Sequence, residues 1–200
     1  MTTRLEQQLA FILEIDKLKG VLRQSLISDG SRRENSAEHS WQIALMALLL
    51  AEHADEPVDA ARAATMLLIH DIVEIDAGDA FLYDEAAQAA KASLEQKAAT
   101  RLFGLLPQEQ ATRLHSLWEE FEAGETPDAR YARAMDRLMP MMLNVATEGR
   151  AWRTNGVTAD KVLARNAVIA ESSQALWDYA EAMIGQAVTR GLIPAKGAAL

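Results

Sequence analysis

The residues best able to do chemistry lie together at His70-Asp71-Ile72-Val73-Glu74, where an apolar run (Met66, Leu67, Leu68, Ile69) stops at a histidine and two acids. Glu74 follows His70 by four positions and Asp71 by three, so a helix carries all three side chains toward one face. Burying three such groups on an apolar helix costs several kcal/mol unless something compensates them. A divalent cation does so, because neutral imidazole gives it a nitrogen and carboxylate gives it oxygen and charge.

Two ligands do not hold a catalytic metal, and two other places offer partners. Glu38-His39-Ser40 opens a strongly apolar segment, and Asp136 interrupts Tyr131-Ala132-Arg133-Ala134-Met135-Asp136-Arg137-Leu138-Met139. The order His39, His70-Asp71, Asp136 is an N2O2 set suited to one Mn, Co, Ni, Fe or Mg ion, with zinc also admissible. Four protein ligands in an octahedral sphere leave two positions for water and a substrate oxygen. Plainer readings stand beside this one. Asp136 could pair with Arg133 or Arg137 on a helix surface, and His53 and His115 have no matching neighbours and read as ordinary histidines. Met135, Met139, Met141 and Met142 suit core filling, and Trp118, Trp152 and Trp177 suit packing.

The elements that must position these residues read as helices throughout, because β-branched runs and sustained period-2 alternation are missing. The pattern predicts a first helix over Leu5–Leu18 with Leu5, Leu9, Ile12, Leu13 and Ile15 along one side, then an irregular Gly20–Asn35. A second helix, N-capped by Ser36, runs to about Ala54; it is apolar nearly all round from Ile43 to Ala51 and is expected to be a buried central element. A third, with Pro57 at its start, runs to about Ile75, and Asp76–Glu85 is a loop around Gly78. Further helices are expected over Ala86–Leu105, Pro107–Phe121, Pro127–Ala151 and Ala159–Arg190. The expected architecture is all-α, a single domain over residues 1–190 with an additional C-terminal helix. The metal site is built from residues 36–140, and the small apolar tail 191–200 is expected to be disordered.

Bulk properties narrow the function classes. The chain has 200 residues and no cysteine, which excludes disulfides and thiolate metal sites and fits a reducing, cytoplasmic setting. Its N-terminus lacks the uninterrupted apolar core of a signal peptide, and no run approaches the length of a membrane span. A net charge of −9 argues against a nucleic-acid polymer as partner. Arg23, Arg32 and Arg33 are the one early basic concentration, enough for a small phosphate.

The ordered H…HD…D pattern resembles the HD superfamily of metal-dependent phosphohydrolases. More narrowly, three segments are similar to the bacterial 5′-deoxynucleotidase group and its eukaryotic HD-domain relatives: Arg32-Arg33-Glu34-Asn35-Ser36-Ala37-Glu38-His39-Ser40, His70-Asp71-Ile72-Val73-Glu74-Ile75-Asp76-Ala77-Gly78-Asp79, and Ala134-Met135-Asp136-Arg137-Leu138. Leu117-Trp118-Glu119-Glu120-Phe121-Glu122 also resembles that group. The resemblance implies a helical HD domain with one metal on His39, His70, Asp71 and Asp136. It implies Glu74 as the catalytic carboxylate beside the attacking water, Asp79 near the leaving sugar oxygen, and Arg23 on the nucleotide, with Arg32 matching a second family arginine. Glu74 could instead support a ligand from outside, and Asp79 could cap a turn.

The implied reaction is hydrolysis of a small phosphorylated substrate, a nucleoside 5′-monophosphate, by a homodimer. The alternatives are hydrolysis of another phosphate ester (a nucleoside triphosphate or a nonnucleotide metabolite) and a catalytically inactive metal-binding regulatory module. One departure stands out: the group carries tryptophan after the residue matching Arg23, and this chain carries Gln24. Because that tryptophan is tied to sugar recognition, weaker discrimination at the 2′ position is expected.

Overall fold

The computed structural model describes residues 2–79, 82, 83 and 85–196, with side chains in the last stretch from residue 92. Helix α1 (Arg4–Ile15) opens on a capping box between Thr3 and Glu6 and tightens into a 3-10 turn at Asp16–Gly20. The segment expected to be irregular then forms an antiparallel hairpin of β1 (Leu22–Leu26) and β2 (Arg33–Asn35), pairing Leu22 with Asn35 and Leu26 with Arg33. The three residues of β2 fall below the length at which a period of two becomes visible, and β1 buries only Ser25 and so shows no alternation.

Helix α2 (Ser36–Leu50) starts one residue earlier than Ser36 would cap it. The Asn35 side chain accepts from Glu38 N at 3.0 Å, and Glu38 Oε1 accepts from Asn35 N at 2.8 Å. Helix α3 (Ala60–Ile69) is capped by Asp59, which accepts from Ala61 and Arg62 N, so Pro57 precedes the helix instead of opening it. The expected continuation to Ile75 is broken at the histidine: His70–Val73 is a 3-10 turn, followed by α4 (Glu74–Ala77) and by Gly78 at φ 76°. Of the expected loop Asp76–Glu85, residues 80, 81 and 84 lie outside the described residues.

The second half comprises α5 (Glu85–Phe103), α6 (Gln108–Ala123), α7 (Pro127–Ala146), α8 (Arg150–Thr154), α9 (Ala159–Asn166) and α10 (Gln174–Thr189). The single helix expected over Ala159–Arg190 is interrupted before α10. There Ser173 caps α10 through Leu176 N and donates its hydroxyl to the His53 carbonyl at 2.6 Å.

Helices α2, α3 and α7 pack on one another at the centre, with Ile43, Ala47, Met66, Leu67, Met135 and Leu138 buried and the Tyr131 hydroxyl donating to the Ala47 carbonyl at 2.9 Å. One expectation about the surface is corrected. Helix α2 is not buried all round, since Trp41, Leu45, Leu48 and Leu49 stand exposed; on α1, Leu5, Leu9, Ile12 and Leu13 are exposed as well and Phe11 is the buried residue.

The tail also departs from its expected disorder over 191–196. Leu192 and Ile193 are buried, and the Pro194 and Ala195 carbonyls accept from Ala159 N and Asp160 N; residues 197–200 lie outside the described residues. Among the described residues no helix is long and apolar enough to cross a membrane.

Candidate metal centre and its cavity

Three of the four expected ligands converge. Ligand atoms of His39, His70 and Asp136 all lie within 4.8 Å of one another, from the first turn of α2, the end of α3 and the middle of α7. Asp136 Oδ1 is 3.1 Å from His39 Nε2 and 3.7 Å from His70 Nε2. The fourth, Asp71, joins through Oδ1, 2.9 Å from the same His70 nitrogen.

Both imidazoles are oriented from behind. His70 Nδ1 lies 2.8 Å from the Leu67 carbonyl, which only accepts, so Nδ1 carries a proton and Nε2 is the nitrogen turned to the cluster. That Nε2 is buried without a hydrogen-bond partner. His39 Nδ1 lies 3.4 Å from Oε2 of Glu34, a buried acid on β2. A carboxylate behind a ligating imidazole fixes its ring and raises its basicity. Glu34 was not singled out from sequence, although its place five residues before His39 within the quoted motif was the available signal.

The electrostatics call for a cation. Burial alone would depress the His70 imidazole, but the carboxylates of Asp71 and Asp136 hold it well above its ordinary value. Asp71 and Asp136 stay well below the carboxylate range in spite of burial, through His70 with Arg23 for Asp71 and through His39 and His70 for Asp136. A buried N2O2 set with an unpaired imidazole nitrogen fits a divalent metal ion.

Glu74 turns in beside this cluster from α4, its Oε2 accepting from Ser36 Oγ at 2.7 Å. Burial pushes its carboxyl up to about 8, helped by Asp71 and Asp79 and opposed by Arg23 and the Ser36 hydrogen bond. Arg23, delivered by β1, is clamped among acids: Nη1 is 2.6 Å from Asp71 Oδ2, Nε 3.6 Å from Glu34 Oε2, and Nη2 3.9 Å from Asp136 Oδ1.

Over the cluster opens a cavity of about 330 Å³, whose wall includes Arg23, His70, Asp71, Glu74, Asp79 and Asp136. Gln24 also lines it, with its amide oxygen accepting from Arg33. Arg32 is not brought in: it is an exposed residue holding Glu38 with two hydrogen bonds of 2.6 and 2.9 Å, outside the cavity. His53 and His115 lie away from the site, the latter packed beside Phe103 and Trp118. Sequence reasoning missed Tyr83, Asn144 and Asn166 in the cavity wall and took Trp152 as packing alone, though it is both buried and cavity-lining.

A helical core holding a His, His-Asp, Asp cluster under a polar cavity defines an HD-type fold, and the chain belongs to the HD domain family, whose model matches residues 15–177. Among solved structures it is similar to a predicted metal-dependent phosphohydrolase from Magnetospirillum magnetotacticum MS-1, with 55% identity and a TM-score of 0.92 over 98% of this chain and 100% of that one. It is also similar to the 5′-deoxynucleotidase HDDC2 of Danio rerio, 27% identical over 135 residues, and to that of Homo sapiens, 27% identical over 130 residues. Those matches span 67% and 64% of this chain but 66% and 62% of the two relatives.

Proposed function

We propose that the chain is a divalent-metal-dependent phosphomonoesterase that hydrolyses nucleoside 5′-monophosphates to nucleoside and phosphate. The observation that carries the reading is the cluster of buried His39, His70 and Asp71 with half-buried Asp136, beside a cavity that also presents Glu74 and Asp79. The relatives named as 5′-deoxynucleotidases support the substrate class. The cavity, about 330 Å³, is at the lower end of the ~300–1,000 Å³ usual for small-molecule sites.

A bound divalent ion would polarise a phosphoryl oxygen and acidify water. Glu74, in its carboxylate form, takes the proton of the attacking water as the oxygen of that water bonds to phosphorus. The bond from phosphorus to the 5′ oxygen breaks, and Asp79, having taken a proton from solvent, delivers it to that leaving oxygen, while Glu74 returns the proton of the water to solvent. Arg23 offsets negative charge at the reacting phosphoryl group. Gln24 stands at the sugar, where it discriminates the 2′ position less than an indole would. Work in the cytoplasm is supported by the lack of cysteine, and pairing as a homodimer by the exposed apolar residues of α1 and α2.

The test is a panel of phosphate esters, run with each of Mn, Co, Ni, Fe, Mg and Zn, on the native chain and on Gln24→Trp. Nucleoside monophosphates are expected to lead, with the deoxy-to-ribo ratio of kcat/KM rising roughly 10- to 200-fold in the variant. Turnover of a nucleoside triphosphate or a nonnucleotide ester alone would replace the substrate. A metal-loaded chain that turns over no ester would make this a binding module.

A further inference from the structure

Three arginines line the cavity, and their commitments differ. Arg23 is held by Asp71 and flanked by Glu34 and Asp136. Arg133 Nη1 reaches the Glu122 carbonyl at 3.4 Å and packs under Gly124, where a Cβ would meet its guanidinium. Arg137, one turn further along α7, has no such anchor. Its Nε, like that of Arg23, is buried without a hydrogen-bond partner. But whereas Arg23 Nη1 reaches Asp71 at 2.6 Å, the carboxylate neighbour of Arg137 within 4.0 Å among the described residues is Asp136, with Oδ2 at 3.9 Å.

That distance is beyond hydrogen-bonding range. Asp136 Oδ1 meanwhile faces both imidazoles. Arg137 therefore lines the cavity beside the same carboxylate that closes the cluster, with its buried Nε donor unused among the described residues, and an unsatisfied buried donor is costly enough to need a partner.

We infer that Arg137 is the anion anchor of the cavity, its guanidinium binding two oxygens of the phosphoryl group while the cluster holds a third. The ligand class is a phosphomonoester dianion or the inorganic phosphate released from it. The planar fork of a guanidinium matches two phosphoryl oxygens at once, which an ammonium does not. The acidic wall supplies the contrast: with Asp71, Glu74, Asp79, Glu95, Glu122 and Asp136 lining the cavity, a dianion needs a cation not already neutralised by them. Arg23 is neutralised in that way and Arg137 is not. Arg137 thus orients the substrate at the reacting phosphorus, while Arg23, tied to Asp71, adds positive charge there without being free to clamp it. The inference rests on the phosphohydrolase reading above but not on the nucleotide part of it.

The experiment uses inorganic phosphate as the probe, titrated calorimetrically into the metal-loaded full chain. Native protein, Arg137→Met (a similar stem without charge or donors) and Arg137→Lys are compared, with metal content measured on each. Phosphate is expected to bind the native chain, about 10- to 100-fold more weakly to Arg137→Met and with intermediate affinity to Arg137→Lys, all three keeping native metal content. Phosphate affinity within threefold of native in Arg137→Met would overturn the assignment. So would loss of metal in that variant, because Arg137 would then be a support for Asp136. A native metal-loaded chain with no phosphate binding also overturns it. If Arg137-dependent phosphate binding holds while nucleoside monophosphates are not hydrolysed, the anchor stands and the nucleotide reading falls.

Discussion

Glu74 sits under opposing influences: burial, Asp71 and Asp79 favour its protonated form, and Arg23 and Ser36 favour the charged one, leaving it raised to about 8. A carboxyl whose folded value stands above its unfolded value stabilises the fold fully below the unfolded value, and that contribution is lost as pH rises through the folded one. The raised His70 acts in the same sense, whereas the depressed Asp71 and Asp136 contribute above their unfolded values and lose that contribution in acid. In the presence of chelator, native protein is therefore expected to lose thermal stability between about pH 5 and pH 8, and Glu74→Gln to lose less over that window. Melting temperatures across the series check this, and superimposable profiles would show that another group titrates. With metal present, Glu74→Gln should keep native metal content while turnover drops roughly two to four orders of magnitude. Metal loss in that variant would make Glu74 a ligand or an outer support.

Each element that reaches the metal cluster does so through an end or an interruption. His39 lies in the first turn of α2, held by Asn35, Glu38 and, behind Glu38, Arg32. The end of α3 at Ile69 and the 3-10 turn His70–Val73 turn Asp71 and Glu74 inward together, so both acids are buried. On α7, Pro140 has no N–H to return to the carbonyl of Asp136, so the helix lacks its usual bond at the candidate ligand. Asn35→Ala removes the cap beneath His39 and is expected to cost about 1 kcal/mol. The denaturation midpoint should fall with an unchanged slope, and metal affinity should drop with it, measured by competition with a chelating dye. Unchanged metal affinity would mean that packing alone fixes His39.

At the scale of the whole molecule, the C-terminal segment closes the fold that the metal helices begin. Gly149, at φ 67°, lies where a Cβ would come 2.1 Å from the Leu192 carbonyl oxygen, and Leu192 and Ile193 are buried beside it. Gly149→Ala combines an unfavourable backbone conformation with a clash against main chain, and a loss of about 2–4 kcal/mol is expected. Trypsin cleavage after Arg190 should accelerate in the variant as residues 191–196 release. If cleavage is unchanged while stability falls, the damage is confined to the turn before α8. The exposed leucines of α1 and α2 are the counterpart on the outside: an amphipathic stripe calls for a cover, and here the cover is not this chain's own core.

The sequence by itself determined the helical class and the ordered set His39, His70, Asp71, Asp136, because apolar periodicity and charged interruptions of apolar helices are local signals. It also singled out Glu74 and Asp79, with the resemblance supplying their roles. It did not reveal the hairpin of β1 and β2, whose pairing is too short to leave a period, nor the turn at His70, where packing overrides helical propensity. Nor could it separate the arginines. Arg23, Arg32 and Arg137 look alike as residues; one is clamped by Asp71, one holds a helix cap outside the cavity, and one lines the cavity with no carboxylate in hydrogen-bonding range among the described residues. The stripes of α1 and α2 carried the same ambiguity, since an apolar face in sequence says that something covers it but not what. Only tertiary structure decides these, because a side chain's role depends on which charges and surfaces distant segments bring within a few ångströms of it.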